Sequence, residues 1–201
     1  MYHFGLMLSH YQGKRDFDKL QQSGVEFINT KSSEGWNIIE TTYEQDVIEA
    51  RKRNMGVIAF HFYRPGNVEG NLARFIQATK AYPPDIYEID WEVTTSNKGN
   101  IVLEVNELGH RLLALTNQVP ILYTNPNFGQ LHYNYGSSML TWMLLHVANY
   151  DKGFPSSVWP FARWDIWQFT QRARVSGITS NAVLEVTHHE WSDLLRLSQK
   201  G

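Results

Sequence analysis

Three acidic residues at every second position form the pattern in this sequence that most directly suggests chemistry. Residues 86–92 read IYEIDWE, a short apolar and aromatic run that contains Glu88, Asp90 and Glu92. Side chains on a strand alternate between its faces, so a strand here would place all three carboxyls on one side. Like charges close together raise the pKa of at least one carboxyl, which suits general acid/base catalysis on a sugar or an ester. The alternative is a solvated edge strand with an acidic outer face.

The segments around this run follow a strand–helix rhythm. Five apolar segments, each a predicted strand, lie at residues 4–8, 25–31, 57–64, 86–92 and 120–124. Helical spacing of apolar residues between them predicts helices, one of which has a capping box formed by Thr42 and Gln45. Three further predicted strands without long helices between them lie at residues 143–150, 164–170 and 182–186. The pattern predicts an α/β fold in a single domain, a barrel of parallel strands with an irregular second half.

In a barrel of this kind, active sites lie at the C-terminal ends of the strands. The residues at those predicted ends are polar, aromatic or acidic, and they include Met7, Ser9, Lys31, Glu34, His61, Arg64, Asp90, Glu92, Tyr123, Thr124, Asn149, Tyr150, Trp167 and Gln168. Their coincidence at one end of the barrel favours the catalytic interpretation of the acidic strand over the edge-strand interpretation.

Composition excludes several other classes of function. The chain has 201 residues, a formal net charge of −2 and no dense basic run, which argues against a general nucleic-acid binder. It has no cysteine, which excludes disulfides and thiolate metal sites, and no apolar run long enough for membrane insertion. No signal peptide is visible, and we expect no cofactor.

Histidine and tryptophan positions outside the acidic strand have ordinary structural interpretations. His188 and His189 with Glu190 resemble half a metal site, but a solvated helix start is favoured because no third ligand has suitable spacing. We expect His10 and His61 to donate hydrogen bonds or contact substrate rather than bind metal. The tryptophans at 142 and 159 fit either a sugar platform or the core.

Several motifs, in the same order along the chain, resemble glycoside hydrolase family 25, the Chalaropsis-type lysozymes. The opening GLMLSHYQG at residues 5–13 is similar to the family's GIDVSHYQG, KSSEG at 31–35 to its KATEG, and AFHF at 59–62 to its AYHF. DWE at 90–92 falls on the family's Asp-x-Glu, and residues 123–124, 148–150 and 164–169 resemble its later strands. The resemblance spans almost the whole chain and implies one catalytic barrel over residues 1–201.

The resemblance implies an irregular TIM-like (β/α)5β3 barrel that cleaves the β-1,4 bond between N-acetylmuramic acid and N-acetylglucosamine in peptidoglycan. Glu92 would be the general acid/base, and Asp90 would orient the substrate's 2-acetamido group, the internal nucleophile of a substrate-assisted mechanism. The expected partner is a peptidoglycan glycan strand bound by a monomer, which reaches the wall on lysis, by a holin-type route, or by another form of secretion. The expected substrate-binding residues are Met7, Ser9, Lys31, Glu34, His61, Tyr123, Asn149, Tyr150, Trp167 and Gln168.

Two positions depart from the family pattern. Met7 stands where the family's first strand carries Asp, and residues 182–185 read AVLE where the family shows Val-Asp-Leu-Asn. A thioether holds no charge and accepts hydrogen bonds weakly, so we expect Glu92 to lose part of its upward pKa shift. Glu185 is a possible substitute acid, and Glu88 is expected to be structural or to lie in a lower layer of the barrel. A catalytically impaired barrel that binds wall glycan, or a glycosidase of altered specificity, remains the alternative.

Overall fold

A single sheet that closes on itself organises the computed structural model, which describes residues 1–94, 98–128, 137–150, 153–155 and 160–199. Its strands in the described chain are β1 (His3–Leu8), β2 (Val25–Glu34), β3 (Ile38–Ile39), β4 (Gly56–Phe62), β5 (Ile86–Asp90), β6 (Ile121–Thr124), β7 (Leu144–Ala148), β8 (Ile166–Ala173) and β9 (Ala182–Thr187). The strand order is β1-β9-β8-β7-β6-β5-β4-β2-β3, and the additional pairing of β1 with β2 closes eight strands into a barrel.

Strand direction is parallel around most of the barrel wall. The pairs from β1 through β2, β4, β5, β6 and β7 to β8 are all parallel. β9 runs antiparallel to both of its neighbours, β8 and β1. The predicted barrel with an irregular second half is therefore confirmed, and the irregularity is a reversed last strand that closes the sheet.

Helices connect successive strands in the first half of the chain. They are α1 (Phe17–Gln22), α2 (Tyr43–Arg51), α3 (Val68–Thr79) and α4 (Lys98–Thr116), and α5 (Trp191–Ser198) follows the last strand. α4 begins at Lys98, eight residues after the end of β5, and residues 95–97 between them lie outside the described part. Among the described helices, none combines the length and apolar character needed to cross a membrane.

The predicted capping box of α2 is wrong. Thr42 has helical backbone angles and its side chain makes no capping hydrogen bond. Its hydroxyl instead donates toward Glu40 Oε1 at 3.5 Å, so the side chain is turned away from the helix start. α3, by contrast, is capped by the side chain of Asn67, which accepts from the backbone N–H of Gly70 at 2.8 Å.

The barrel wall separates two cores. The lower interior of the barrel holds one apolar side chain from each of six strands, with Leu194 of α5 beneath them: Phe27, Ile58, Ile86, Ile121, Leu144 and Ile166. A larger core lies between the strands and the helices and includes Tyr87, Ile89 and Phe75. Alternation along β5 thus sends its even-numbered residues into the barrel and its odd-numbered residues toward the helices. Glycine is needed at position 5, where a Cβ would lie 2.2 Å from the Phe27 ring.

Candidate active site

The acidic strand places its carboxyls inside the barrel, at increasing height toward the C-terminal rim. Asp90 is the last residue of β5 and is 3% exposed, whereas Glu92 lies just beyond the strand and is partly exposed. Burial raises the pKa of Asp90 well above its usual value, the charges of Glu92 and Glu88 add to the shift, and Lys31 opposes it. Burial also raises the pKa of Glu92. The pair therefore holds a proton at a pH where two separate surface carboxyls would both be ionised.

A cavity of about 300 Å³ opens beside Glu92 at the strand ends. Four predicted site residues line it, from the ends of three successive strands: Glu92, Tyr123, Asn149 and Tyr150. The cavity also contacts Ala148 and residues 125–127, which were not among the expected site residues. Those residues directly follow a barrel strand, so the strand-end rule could have included them.

Gln168 connects the tyrosines of this cavity to Met7. The side chain of Gln168 is 1% exposed, and its Oε1 accepts hydrogen bonds from the hydroxyls of Tyr123, at 3.1 Å, and Tyr150. Its Nε2 donates to Met7 Sδ at 3.1 Å. Burial raises the pKa of both tyrosines, so both hydroxyls keep their protons. The residue that replaces the expected first-strand Asp thus lies in the site as a weak acceptor for a glutamine amide.

A second charged group lies on the opposite side of Asp90. Lys31 Nζ is 2.6 Å from Glu34 Oε2, and Arg64 Nε donates to Glu34 Oε1 at 2.9 Å. Both cations lie over the Phe62 ring, at 5.4 and 4.6 Å from its centroid. Although burial opposes ionisation, the hydrogen bonds from Lys31 and Arg64 hold the pKa of Glu34 below its usual value. Glu34 is therefore an ionised partner of two cations rather than a proton donor.

The prediction that His61 belongs to the pocket is wrong. Its ring is fully buried on the outer face of β4, stacks on Phe75 of α3 at 5.1 Å, and lies within hydrogen-bond distance of Ser33 Oγ and Asn71 Oδ1. The physical reason is alternation: Ile58 points into the barrel, so a residue three positions later points out. Burial lowers the pKa of His61 to about 4.

Ser9 and Trp167 contact loops next to the rim. Ser9 donates its hydroxyl to Gln12 Oε1 at 3.0 Å in the short 3-10 turn His10–Gln12. Trp167 points out of the barrel, where its indole N–H donates to the backbone oxygen of Asn149 at 2.9 Å, and its ring packs with Phe154. Both side chains hold rim segments in place through these bonds.

The remaining aromatic and histidine positions have local partners. Trp142 donates to Asn106 and stacks on His110, whereas the tryptophan at 159 lies outside the described residues. His189 Nε2 lies 3.0 Å from Asp165 Oδ1. Within the described ranges no group of three or more His, Cys, Asp or Glu side chains could hold a metal ion.

Sequence reasoning missed a charged layer beneath Asp90. Glu88, which was expected to be structural or to lie in a lower layer of the barrel, meets His146 and Asn29 inside the barrel, and Glu185, the possible substitute acid, lies beside them. The available signal for His146 was a histidine within the otherwise apolar strand β7. It went unused because nothing in the sequence indicates that β7 and β9 face β5 across the barrel.

Comparison with known proteins gives a consistent family. The model of the glycosyl hydrolases family 25 matches residues 7–178. Lysozyme M1 of Streptomyces globisporus is 21% identical over 192 residues, which cover 88% of this chain and 65% of that protein. The autolytic lysozyme of Clostridium acetobutylicum is 25% identical over 183 residues, which cover 90% of this chain and 54% of that protein. This chain thus spans only about half to two thirds of the length of these relatives.

A solved structure supports the same fold. The crystal structure of the bacterial lysozyme from Streptomyces coelicolor superimposes with a TM-score of 0.86 at 19% identity, covering 97% of this chain and 96% of that chain. The family match covers most of the barrel, including β5 with Asp90 and Glu92. The chain therefore belongs to family 25 of the glycosyl hydrolases.

Proposed function

We propose that this chain is an N-acetylmuramidase that hydrolyses the β-1,4 bond between N-acetylmuramic acid and N-acetylglucosamine in peptidoglycan. The observation that carries the proposal is the Asp90–Glu92 pair, two carboxyls with raised pKa values at the C-terminal rim of a family 25 barrel. Glu92 lines a cavity next to tyrosine and asparagine side chains, which suit the hydroxyl and acetamido groups of a sugar. The lysozymes named above support the same substrate.

The proposed catalytic unit extends over residues 1–201. β1 begins at His3 and its pairing with β2 closes the barrel, so the first strand is part of the site's framework. α5 ends at Ser198 and covers the lower end of the barrel through Leu194. Both ends of the described chain therefore contribute to the barrel.

In the proposed first step, the protonated carboxyl of Glu92 donates its proton to the glycosidic oxygen. The carbonyl oxygen of the substrate's own 2-acetamido group attacks the anomeric carbon, and the bond to the leaving sugar breaks. In the second step, the Glu92 carboxylate removes a proton from a water molecule, whose oxygen attacks the same carbon and reopens the acetamido-derived ring. Glu92 ends the cycle protonated, as it began.

Asp90 has the role of orienting the acetamido group in this proposal. Its side chain lies deeper than Glu92, and among the described residues its Oδ1 has no hydrogen-bond partner. An acetamido N–H that becomes partly positive during the attack would satisfy this buried oxygen, and it would favour the ionised form of Asp90. The shared proton of the pair then remains on Glu92, which faces the cavity.

The other proposed substrate-binding residues surround the acid pair. Tyr123, Tyr150 and Asn149 lie on the cavity side, with Gln168 and Met7 behind the tyrosines. Lys31 and Glu34 lie on the other side of Asp90, and we assign Ser9 and Trp167 to holding the rim segments. We also propose that the chain acts as a monomer on a glycan strand of the cell wall, after lysis, holin-type release or another form of secretion.

The test is release of reducing ends from purified peptidoglycan together with clearing of a wall suspension. Glu92→Gln should lower the rate about 10²–10⁴-fold, because it removes the general acid/base while keeping the side chain's shape. The matched control is Glu107→Gln, which neutralises an exposed carboxylate paired with Arg111 on α4 and should clear walls at the wild-type rate. Clearing that survives Glu92→Gln would contradict the assignment. Binding of glycan without any released reducing ends would favour a non-catalytic wall-binding barrel.

A further inference from the structure

The barrel interior between its apolar lower end and the acid pair is a charged layer. It consists of Glu88 on β5, His146 on β7, Glu185 on β9 and Asn29 on β2, and all four side chains are 0% exposed. These strands are not neighbours in the sheet, so the side chains meet across the inside of the barrel. Glu88 and Asp90 lie two positions apart on one strand, about 7 Å along it, which sets the layer directly beneath the acid pair.

The contacts in this layer place His146 between two carboxyls. Glu88 Oε1 accepts from Asn29 Nδ2 at 2.9 Å, and Glu88 Oε2 lies 2.9 Å from His146 Nδ1. The other ring nitrogen, Nε2, is 3.3 Å from Glu185 Oε2. The rings of Tyr123 and His146 make a T-shaped contact, with their centroids 4.9 Å apart. A charge in such a site is strongly destabilised unless it is paired, so a histidine with a carboxyl at each nitrogen favours the imidazolium form.

We propose that Glu88, His146 and Glu185 form a charge-balanced layer in which a buried imidazolium neutralises Glu88, so that the Asp90–Glu92 pair titrates above a neutral layer. They are positioning residues rather than catalytic ones, because they act on substrate only through the acid pair. The effect on catalysis rests on the proposed function, whereas the charge state of His146 does not.

The charged and titratable groups around Asp90 show why the net charge of the layer matters. Asp90 faces Glu92 and Glu88 on its own segment, Lys31 on β2, and the hydroxyls of Tyr123 and Tyr150. The Glu88 charge raises the pKa of Asp90, so a layer without a cation would raise it further.

Within the layer, the two remaining titratable groups have shifted pKa values. Although burial opposes its charge, Glu88 and then Glu185 raise the pKa of His146. Burial raises the pKa of Glu185 to about 8, so Glu185 is mostly protonated well below that pH and adds to the shift of His146 only as it ionises. In the proposed layer the imidazolium of His146 then balances Glu88, and the layer carries no net charge while Glu185 is protonated.

The test of the electrostatic role is the pH profile of peptidoglycan hydrolysis by three variants of the full chain. At high pH the activity falls as the acid pair loses its proton, which gives the alkaline limb of the pH profile. Glu88→Gln removes a negative charge beneath Asp90 and should move this limb to lower pH by about 0.5–1 pH unit. His146→Gln removes the positive charge and should move it up by a similar amount. The double variant Glu88→Gln/His146→Gln should return the limb close to wild type, and the surface control Glu107→Gln should not move it. If the layer is merely structural, the variants lose rate but the alkaline limbs of their pH profiles coincide with that of the wild type. Coinciding limbs, or limbs that move in the same direction in both single variants, overturn the proposal.

An activity-independent measurement is the nitrogen NMR titration of His146 in the wild-type protein. At pH 7.5 the expected spectrum is that of an imidazolium with both nitrogens protonated, and Glu88→Gln should lower its titration midpoint by at least one pH unit. A neutral His146 at pH 7 overturns the proposed layer, whether or not the protein hydrolyses peptidoglycan. If His146 is an imidazolium but the wild-type protein does not hydrolyse peptidoglycan, the proposed layer is supported and the proposed function is contradicted. If the variants do not fold, the wild-type spectrum alone decides.

Discussion

Two fully buried histidines lie on opposite faces of the barrel wall, and their surroundings differ in one respect. His61 faces the helix layer, and its hydrogen-bond partners in the described part of the chain are neutral: the hydroxyl of Ser33 and the amide of Asn71, beside the Phe75 ring. His146 faces the barrel interior and meets two carboxyls. Burial lowers the pKa of His61 to about 4, whereas the pKa of His146 is raised despite equal burial. The charge of a buried histidine here is therefore set by its partners rather than by its depth.

The same contrast separates the two cores of the protein. The outer core between strands and helices is mainly apolar, and the polar groups around His61 pair as neutral hydrogen bonds, while Asp46 of α2 forms a buried ion pair with Arg15. The inner core is apolar only at its lower end and carries charged groups from Glu88 upward to Glu92. The outer core thus supplies cohesion, and the interior supplies the electrostatics of the rim. This division predicts that equivalent substitutions on the two faces change the free energy of unfolding by different amounts, and with opposite dependence on pH.

The largest expected difference is in stability after the same truncation. His146→Leu leaves Glu88 buried with Asn29 as its one remaining hydrogen-bond partner among the described residues, and breaking such a buried pair costs about 3–5 kcal/mol. His61→Leu should cost about 1–2 kcal/mol, because Asn71 Oδ1 still accepts from the Arg64 backbone N–H at 3.0 Å. Urea unfolding at pH 7 measures both, with His110→Gln as an exposed control. Equal losses, or a larger loss at His61, would break the comparison.

The inner layer should make the protein less stable as pH rises. The folded-state pKa of Glu185, about 8, lies above the unfolded value of 4.5, so between these the folded state binds the extra proton. Stability relative to Glu185→Gln should therefore fall by about 1 kcal/mol per pH unit from pH 5 to 8. His146, with its raised pKa, acts in the same direction above 6.5. Thermal or urea unfolding across this range checks the slope, and a flat difference between the two proteins would contradict it.

The outer histidine should give the opposite slope. The pKa of His61 is lowered from 6.5 to about 4, so between these values the unfolded state binds the extra proton. Wild-type stability relative to His61→Gln should fall by about 1 kcal/mol per pH unit as the pH drops from 6 to 4. The window is narrower than that of Glu185, so the total effect is smaller. The same unfolding series measures it, and a wild-type protein that resists acid as well as the variant would show that His61 is charged.

The sequence was informative where structure follows from local alternation. Spacing by two predicted the shared face of Asp90 and Glu92, and the strand–helix rhythm predicted the barrel. His61 was misplaced because its site at a strand end was considered without its phase relative to Ile58. The reversal of β9 was not predicted, since hydropathy carries no information on strand direction. His146, and its contact with Glu185, were missed because the contacts across a barrel join strands far apart in the chain.

The smallest expected effect concerns Met7, which stands where the resemblance to the family leads us to expect an Asp. Met7→Leu keeps the volume but removes the sulfur that accepts from Gln168 Nε2, while Gln168 Oε1 keeps both tyrosine hydroxyls. Because a thioether is a weak acceptor, the rate of wall hydrolysis should change less than about threefold and stability by less than about 1 kcal/mol. Met7→Asp, by contrast, adds a carboxylate to the rim and should move the alkaline limb upward, since another negative charge raises the pKa of the acid pair. A large loss in Met7→Leu would mean that Gln168 depends on the sulfur to hold the tyrosines. The upper rim of the barrel interior would then depend on a weak neutral hydrogen bond, as the surroundings of His61 do. The contrast between a charged interior and a neutral outer face would hold only below Asp90.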